Sequence, residues 1–193
     1  RIDMYLFGTP LSAAAAAFLF AGSSPDEAIN TDIARWQQSL SDARDISSEA
    51  AGMASAGKNE EAVRLYQDAM IFGRKAALAL HENGVDTSAS ADKESPLDWL
   101  IALYRNSALT RIELEDVDGA RKDAWGACLY SQNADIVSLE CLAKVCEAGE
   151  DDMGRLMALK NILQLDDKDS QLDSERRREI DSDIDSLETK LMA

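Results

Sequence analysis

YRNSALTRIELEDVDGARKDAWGACLY, residues 104–130, decides the fold. Small side chains recur at Ala108, Ala120, Ala124 and Ala127, and the acidic pair Glu115-Asp116 divides them. Residues three and four apart share a helix face, so two short amphipathic helices joined at that pair place all four alanines in one seam. Small residues in a seam let two helix axes approach closely. The same pattern holds upstream. After a Gly57-Lys58-Asn59 turn, Ala62, Tyr66, Ala69, Gly73, Ala76 and Leu80 are spaced 4-3-4-3-4, predicting a helix over 60–80 that stops at Asn83-Gly84.

Working outward, Ser24, Pro25 and Glu27 form a capping box with proline at the first helical position. Ile29, Ile33, Trp36, Leu40 and Ala43 follow as a one-sided apolar stripe, which Ile46, Ala50 and Met53 carry on to Gly57. Ser47-Ser48 and Gly52 are the points where this long helix can break. Residues 82–95 are polar and aperiodic, an exposed loop. Ser95-Pro96 restarts a helix whose apolar side is Trp99, Leu103, Tyr104, Leu109 and Ile112. From Asp166 a charged turn leads to a last helix carrying Leu172, Ile180, Ile184, Leu187 and Leu191 as a narrow stripe. Alanine is abundant and β-branched runs are absent, so the chain is all-α.

Residues 43–76 and 97–165 resemble the tetratricopeptide (TPR) repeat family, a helix-turn-helix unit of about 34 residues that stacks on copies of itself. Gly57 stands at the turn, Ala62 and Ala69 at the small positions and Tyr66 at the aromatic one. Ala120 with Gly154, and Glu115 with Gly149, are each 34 residues apart. Ala62 to Ala120 spans 58, the excess falling in the loop and an extended helix. The unit over 135–164 departs from the pattern: Gly154 replaces alanine, and Asn161 stands where a small residue is usual. The resemblance implies a TPR-like antiparallel helix-hairpin array of about seven helices with a short apolar N-terminal segment. Residues 1–24 are then an anchor or docking segment, 25–165 the repeat domain with loop 82–95, and 166–193 an acidic capping helix. It also implies a protein-binding scaffold. Some family members resemble co-chaperones that grip a peptide's terminal carboxylate through inner-face cations. Ser47, Ala51, Arg105, Leu109 and Glu140 are the comparable positions here; Arg105 alone suits that task, and Glu140 repels a carboxylate.

The net charge of −16 repels phosphate backbones and argues against nucleic-acid binding. It serves solubility and attracts basic protein surfaces. Cys128, Cys141 and Cys146 make an odd set with no histidine nearby, so they read as small buried apolar residues in a reducing compartment.

Catalysis and metal binding find no support. His81 is the single histidine, near a helix end, with no nucleophile elbow in the chain. Asp181, Asp183 and Asp185 mimic a calcium loop, but Ser186 replaces its glycine and Met192 its closing glutamate. Counted from Asp167, the Asp166-Asp167-Asp169 run fails the same test at Leu172 and Arg178. No cofactor motif is present, and an all-α enzyme would need a deep pocket of converging polar groups.

Residues 4–22, MYLFGTPLSAAAAAFLFAG, carry no charge. Thr9-Pro10 caps a helix of about a dozen residues, roughly 18 Å, short of the ~20 apolar residues that span a bilayer. Insertion in a membrane, docking in a partner's apolar groove and folding back on the chain's own helices all fit. Arg1 in place of methionine implies processing or truncation. Leu6, Phe7, Phe18, Leu19 and Phe20 are the expected partner contacts, with Arg105 a lesser one. The chain is thus expected to be a non-catalytic accessory subunit binding the protein subunits of a larger complex at an organelle membrane, chloroplast thylakoid or mitochondrial inner. The alternative is a soluble TPR adaptor or assembly factor, cytosolic or in another reducing compartment.

Overall fold

A computed structural model describes residues 25–82 and 96–192, and among them every regular element is an α-helix. In chain order these are α1 (Pro25–Ser55), α2 (Asn59–Glu82), α3 (Pro96–Ile112), α4 (Val117–Tyr130), α5 (Ile136–Ala148), α6 (Asp152–Asp169) and α7 (Ser174–Met192). Pro25 and Pro96 open their helices where a missing N–H is harmless. Helix α1 runs unbroken through Ser47-Ser48 and Gly52. Aspartates start the later helices by accepting first-turn N–H groups. Asp116 accepts from Gly119 at 3.0 Å, Asp135 from Val137 and Ser138, Asp151 from Gly154 at 2.9 Å, and Asp173 from Glu175 and Arg176.

The helices form consecutive antiparallel hairpins, α1 with α2, α3 with α4 and α5 with α6, and α7 packs on α6. One turn closes all three hairpins. Gly57, Glu115 and Glu150 adopt left-handed φ of 73°, 58° and 55°. In each case the next N–H reaches the carbonyl five residues back: Lys58 to Met53 at 2.9 Å, Asp116 to Arg111 at 3.0 Å, Asp151 to Cys146 at 2.8 Å.

These turns set the true repeat register and correct the expected one. Glu115 corresponds to Glu150, not Gly149, and Gly119 rather than Ala120 corresponds to Gly154; the step is 35 residues, not 34. The first step, Gly57 to Glu115, is 58 as expected. Gly149 has φ of −93°, so its glycine serves another need. A Cβ there would lie 2.8 Å from Val117 Cγ1, so the residue is small because α4 presses on it.

In this register Ala50, Ala108 and Ala143 are equivalent and all buried, where the first helix of each hairpin meets its neighbours. Two apolar clusters fill the array. One joins α1 and α2 to Trp99, Leu100 and Leu103 of α3. The other runs from Ala108 through α4, α5 and α6 to Ile180, Ile184 and Leu187 of α7. Two further expectations change. Leu109 is 38% exposed, and Ser107, Ala108 and Thr110 take the buried positions of that turn. Helix α6 continues to Asp169, so the acidic run begins inside the helix rather than in a turn. First helices α1, α3 and α5 touch in series while second helices α2, α4 and α6 do not, which bends the stack toward its first-helix side.

Candidate interaction surface

The bend gives the array an inner face, lined by α1, α3 and α5. Ser47, Arg105 and Glu140 are equivalent positions on it, half-buried, and Ala51 and Leu109 are equivalent and exposed. Both charged residues already have partners within the chain. Arg105 Nη1 meets Asp135 Oδ2 at 2.7 Å, tying α3 to the start of α5. Glu140 Oε1 accepts from Arg176 Nε and Nη2 at 3.0 and 2.9 Å, tying α5 to α7. Asp135 takes four bonds in all, from Arg105, both helix N–H groups and the Ser138 hydroxyl.

A hollow of about 500 Å³ opens beside this ion pair. Leu97, Ile101 and Arg105, one stripe of α3, form one wall. The α4–α5 connection supplies Tyr130, Ser131, Gln132 and Asp135, and Gln171 reaches in from the α6–α7 turn. Gln132 and Asn133 both sit at left-handed φ, 54° and 56°, although neither is glycine. Asp135 caps α5 by accepting from Val137 and Ser138, a start the sequence reading did not single out. The paired left-handed residues carried no glycine to announce them.

The opposite face carries apolar side chains into solvent. Trp125 and Leu129, one turn apart on α4, are 55% and 73% exposed, and Met153 and Met157 stand out likewise on α6. Ile71 on α2 occupies the position equivalent to Leu129. Exposed Trp and Met are residue types enriched at protein contacts, and Leu129 extends the apolar surface beside Trp125.

Leu6, Phe7, Phe18, Leu19 and Phe20 lie outside the described residues. Among the described residues, no helix is long and apolar enough to cross a membrane, and no group of three or more His, Cys, Asp or Glu is arranged to hold a metal ion. Asp181, Asp183 and Asp185 are exposed on α7, where Asp183 pairs with Arg155 at 2.8 Å. Burial pushes the Cys128 thiol up to about 12 and the Cys141 thiol to about 11, and raises that of Cys146, so none is an activated nucleophile. The fold and surface thus define an all-α helical-repeat protein. Comparison with protein-family models, with curated proteins and with solved structures gives no match for this chain.

Proposed function

We propose that this chain is a non-catalytic scaffold or accessory subunit of a larger, membrane-associated complex, organised as a TPR-like array. The observation that carries this reading is the pairing of an alanine-seamed stack with the exposed Trp125 and Leu129 on its outer face. Contiguous apolar surface on a soluble face marks an interaction site. The uncharged stretch over residues 4–22 supports a second attachment, to an organellar photosynthetic or respiratory assembly or its bilayer. The equivalent alanines Ala50, Ala108 and Ala143 favour a TPR-like unit, with one step of 35 residues as a departure.

Crosslinking mass spectrometry on native organelle membranes tests this. A photo-crosslinker placed at Leu129 is expected to capture subunits of one assembly, and one at Glu175 of α7 to capture few. A chain that keeps residues 1–22, stays monodisperse in the aqueous phase and yields no assembly crosslinks would overturn it. The soluble adaptor is the second reading, and the inner-face hollow is the feature that favours it.

A further inference from the structure

Helix α7 differs from the helices before it in what holds it. Of its 19 residues three are buried, Ile180, Ile184 and Leu187, whereas α5 buries eight of 13. Leu191, next along the same stripe, is 41% exposed, so burial ends one turn before the helix does. Among the described residues its backbone lies against α6 and no other helix. An element with few buried apolar contacts and one packing neighbour belongs to the least stable part of a fold.

Charge supplies the rest. Among the described residues six ion pairs tie α7 to α5 and α6, and they differ along its length. At the hinge end Arg177 meets Asp166 at 2.5 Å and Asp167 at 2.6 Å, and Arg176 meets Glu140 at 2.9 Å. Asp166 is buried and also accepts the Leu172 N–H at 2.7 Å, so one carboxylate binds the turn and the start of α7 together. The far end has no such anchor. Asp183 meets Arg155 at 2.8 Å, Glu188 meets Lys160 at 2.6 Å and Lys190 meets Asp152 at 2.5 Å, and in each pair one side chain is half exposed or more. Pairs this exposed are weak and are screened by salt. The antiparallel register they set lays Leu187 and Ile184 over Leu156 and Leu159 of α6, in the second apolar cluster.

We propose that α7 is a strap that opens from its C-terminal end toward Asp166 while the three hairpins stay folded, and that ionic strength sets how often it opens. Each opening bares Leu156 and Leu159, so the strap controls exposure of the apolar end of the array. The inference is independent of the scaffold reading and stands or falls without it.

The test is amide hydrogen exchange of the ¹⁵N-labelled full chain, followed residue by residue by NMR. Residues 180–188 are expected to exchange faster than residues 140–146 of α5, with 186–188 ahead of 179–181. Raising sodium chloride from about 10 mM to about 1 M should speed 180–188 about tenfold relative to α5, as the far pairs are screened. Asp183→Asn combined with Glu188→Gln removes two of those pairs and keeps every buried side chain. It should speed the same amides about fivefold at low salt and blunt their response to added salt. Fast exchange confined to 189–192, as in ordinary fraying, would overturn the proposal, as would rates at 180–188 that salt leaves unmoved. Exchange at 179–181 ahead of 186–188 would do the same, because it puts the weak end beside the hinge.

Discussion

Tyr104 of α3 and Tyr130 of α4 stack with ring centroids 5.4 Å apart and planes 29° from parallel. This pair bridges the first and second helices of the middle hairpin, beside the junction of the two apolar clusters. Burial, the largest cause, pushes the Tyr104 hydroxyl up to about 12. Gly126 makes room for the pair. A Cβ there would lie 2.7 Å from both Tyr104 Cδ1 and Cε1, and the ring is held against Tyr130. Gly126→Ala should therefore destabilise by about 2 kcal/mol, the usual cost of overpacking. In a chain of this size that lowers the melting temperature by about 6 °C. An unchanged midpoint in calorimetry would mean the ring swings aside freely.

Arg111 locks the same hairpin through charge. Its Nε meets Asp123 Oδ2 at 2.8 Å, Nη1 bonds Asp116, and Ser107 donates to Asp123 Oδ2 at 2.6 Å. The Asp123 side chain is 14% exposed, so water replaces a lost partner poorly. Arg111→Ala is expected to cost about 2 kcal/mol, below the figure for a fully buried pair because some screening remains. Arg111→Lys should recover only part of it, since an ammonium cannot serve both aspartates with the same fork. Denaturant midpoints of the two variants separate these outcomes.

The three hairpin turns predict substitutions of opposite sign. Glu115 and Glu150 sit where Gly57 sits in the first hairpin, at left-handed φ. Glu115→Gly and Glu150→Gly should each stabilise by about 0.5–1 kcal/mol, and Gly57→Ala should destabilise by about 1 kcal/mol. Chemical denaturation of the three variants checks both signs. If the glutamate variants lose stability, a side-chain role outweighs the backbone strain.

These turns also explain what the sequence made legible. The alanine seam and the proline starts announced the helices at Pro25 and Pro96 and the hairpin pairing, because burial and capping are local rules, and the family resemblance supplied the count of about seven. The register of the last hairpin was not legible. Gly149 resembles a turn glycine, yet it is kept small by contact with Val117, a contact between residues 32 apart in the chain. Leu109 misled for a related reason. It continues an apolar spacing, but close approach of α3 to its neighbours admits only Ala108 and small polar residues there. The hollow was less legible still: Arg105 drew notice as a cation, while Gln132 and Gln171 look like ordinary loop residues until the turns bring them together.

Asp166 and Asp116 make stability fall in acid. Asp166, 4% exposed at the end of α6, accepts the Leu172 N–H at 2.7 Å and pairs with Arg177 at 2.5 Å. The Leu172 bond first, then Arg177, holds its carboxyl below the usual carboxylate range, against the effect of burial. Gly119 N–H first, then Arg111, does the same for Asp116. A lowered folded-state pKa gives stability that is present above the unfolded value, about 3.9, and lost as pH falls through the folded one. Asp166→Asn should lower the melting temperature by roughly 5 °C at pH 7, and the gap from wild type should close below pH 4. A gap that persists unchanged to pH 2 would assign the loss to shape rather than charge.

The three cysteines should be silent until the array opens. Cys128 donates to the Ser138 carbonyl at 3.5 Å and Cys141 to the Arg105 carbonyl at 3.8 Å, both buried among α3, α4 and α5. With burial raising Cys128 to about 12, its thiolate fraction near neutral pH drops more than about a thousandfold below that of a free thiol. A disulfide reagent at pH 7.5 should label no thiol rapidly in the native chain and all three after denaturation. The same shift carries a pH signature. Unfolded thiols ionise near pH 8.5, so the contribution from keeping them neutral is constant below that value and declines as pH rises above it. Fast native labelling of Cys128 would show that α4 and α5 separate readily, which would contradict a stack held rigid by its alanine seam.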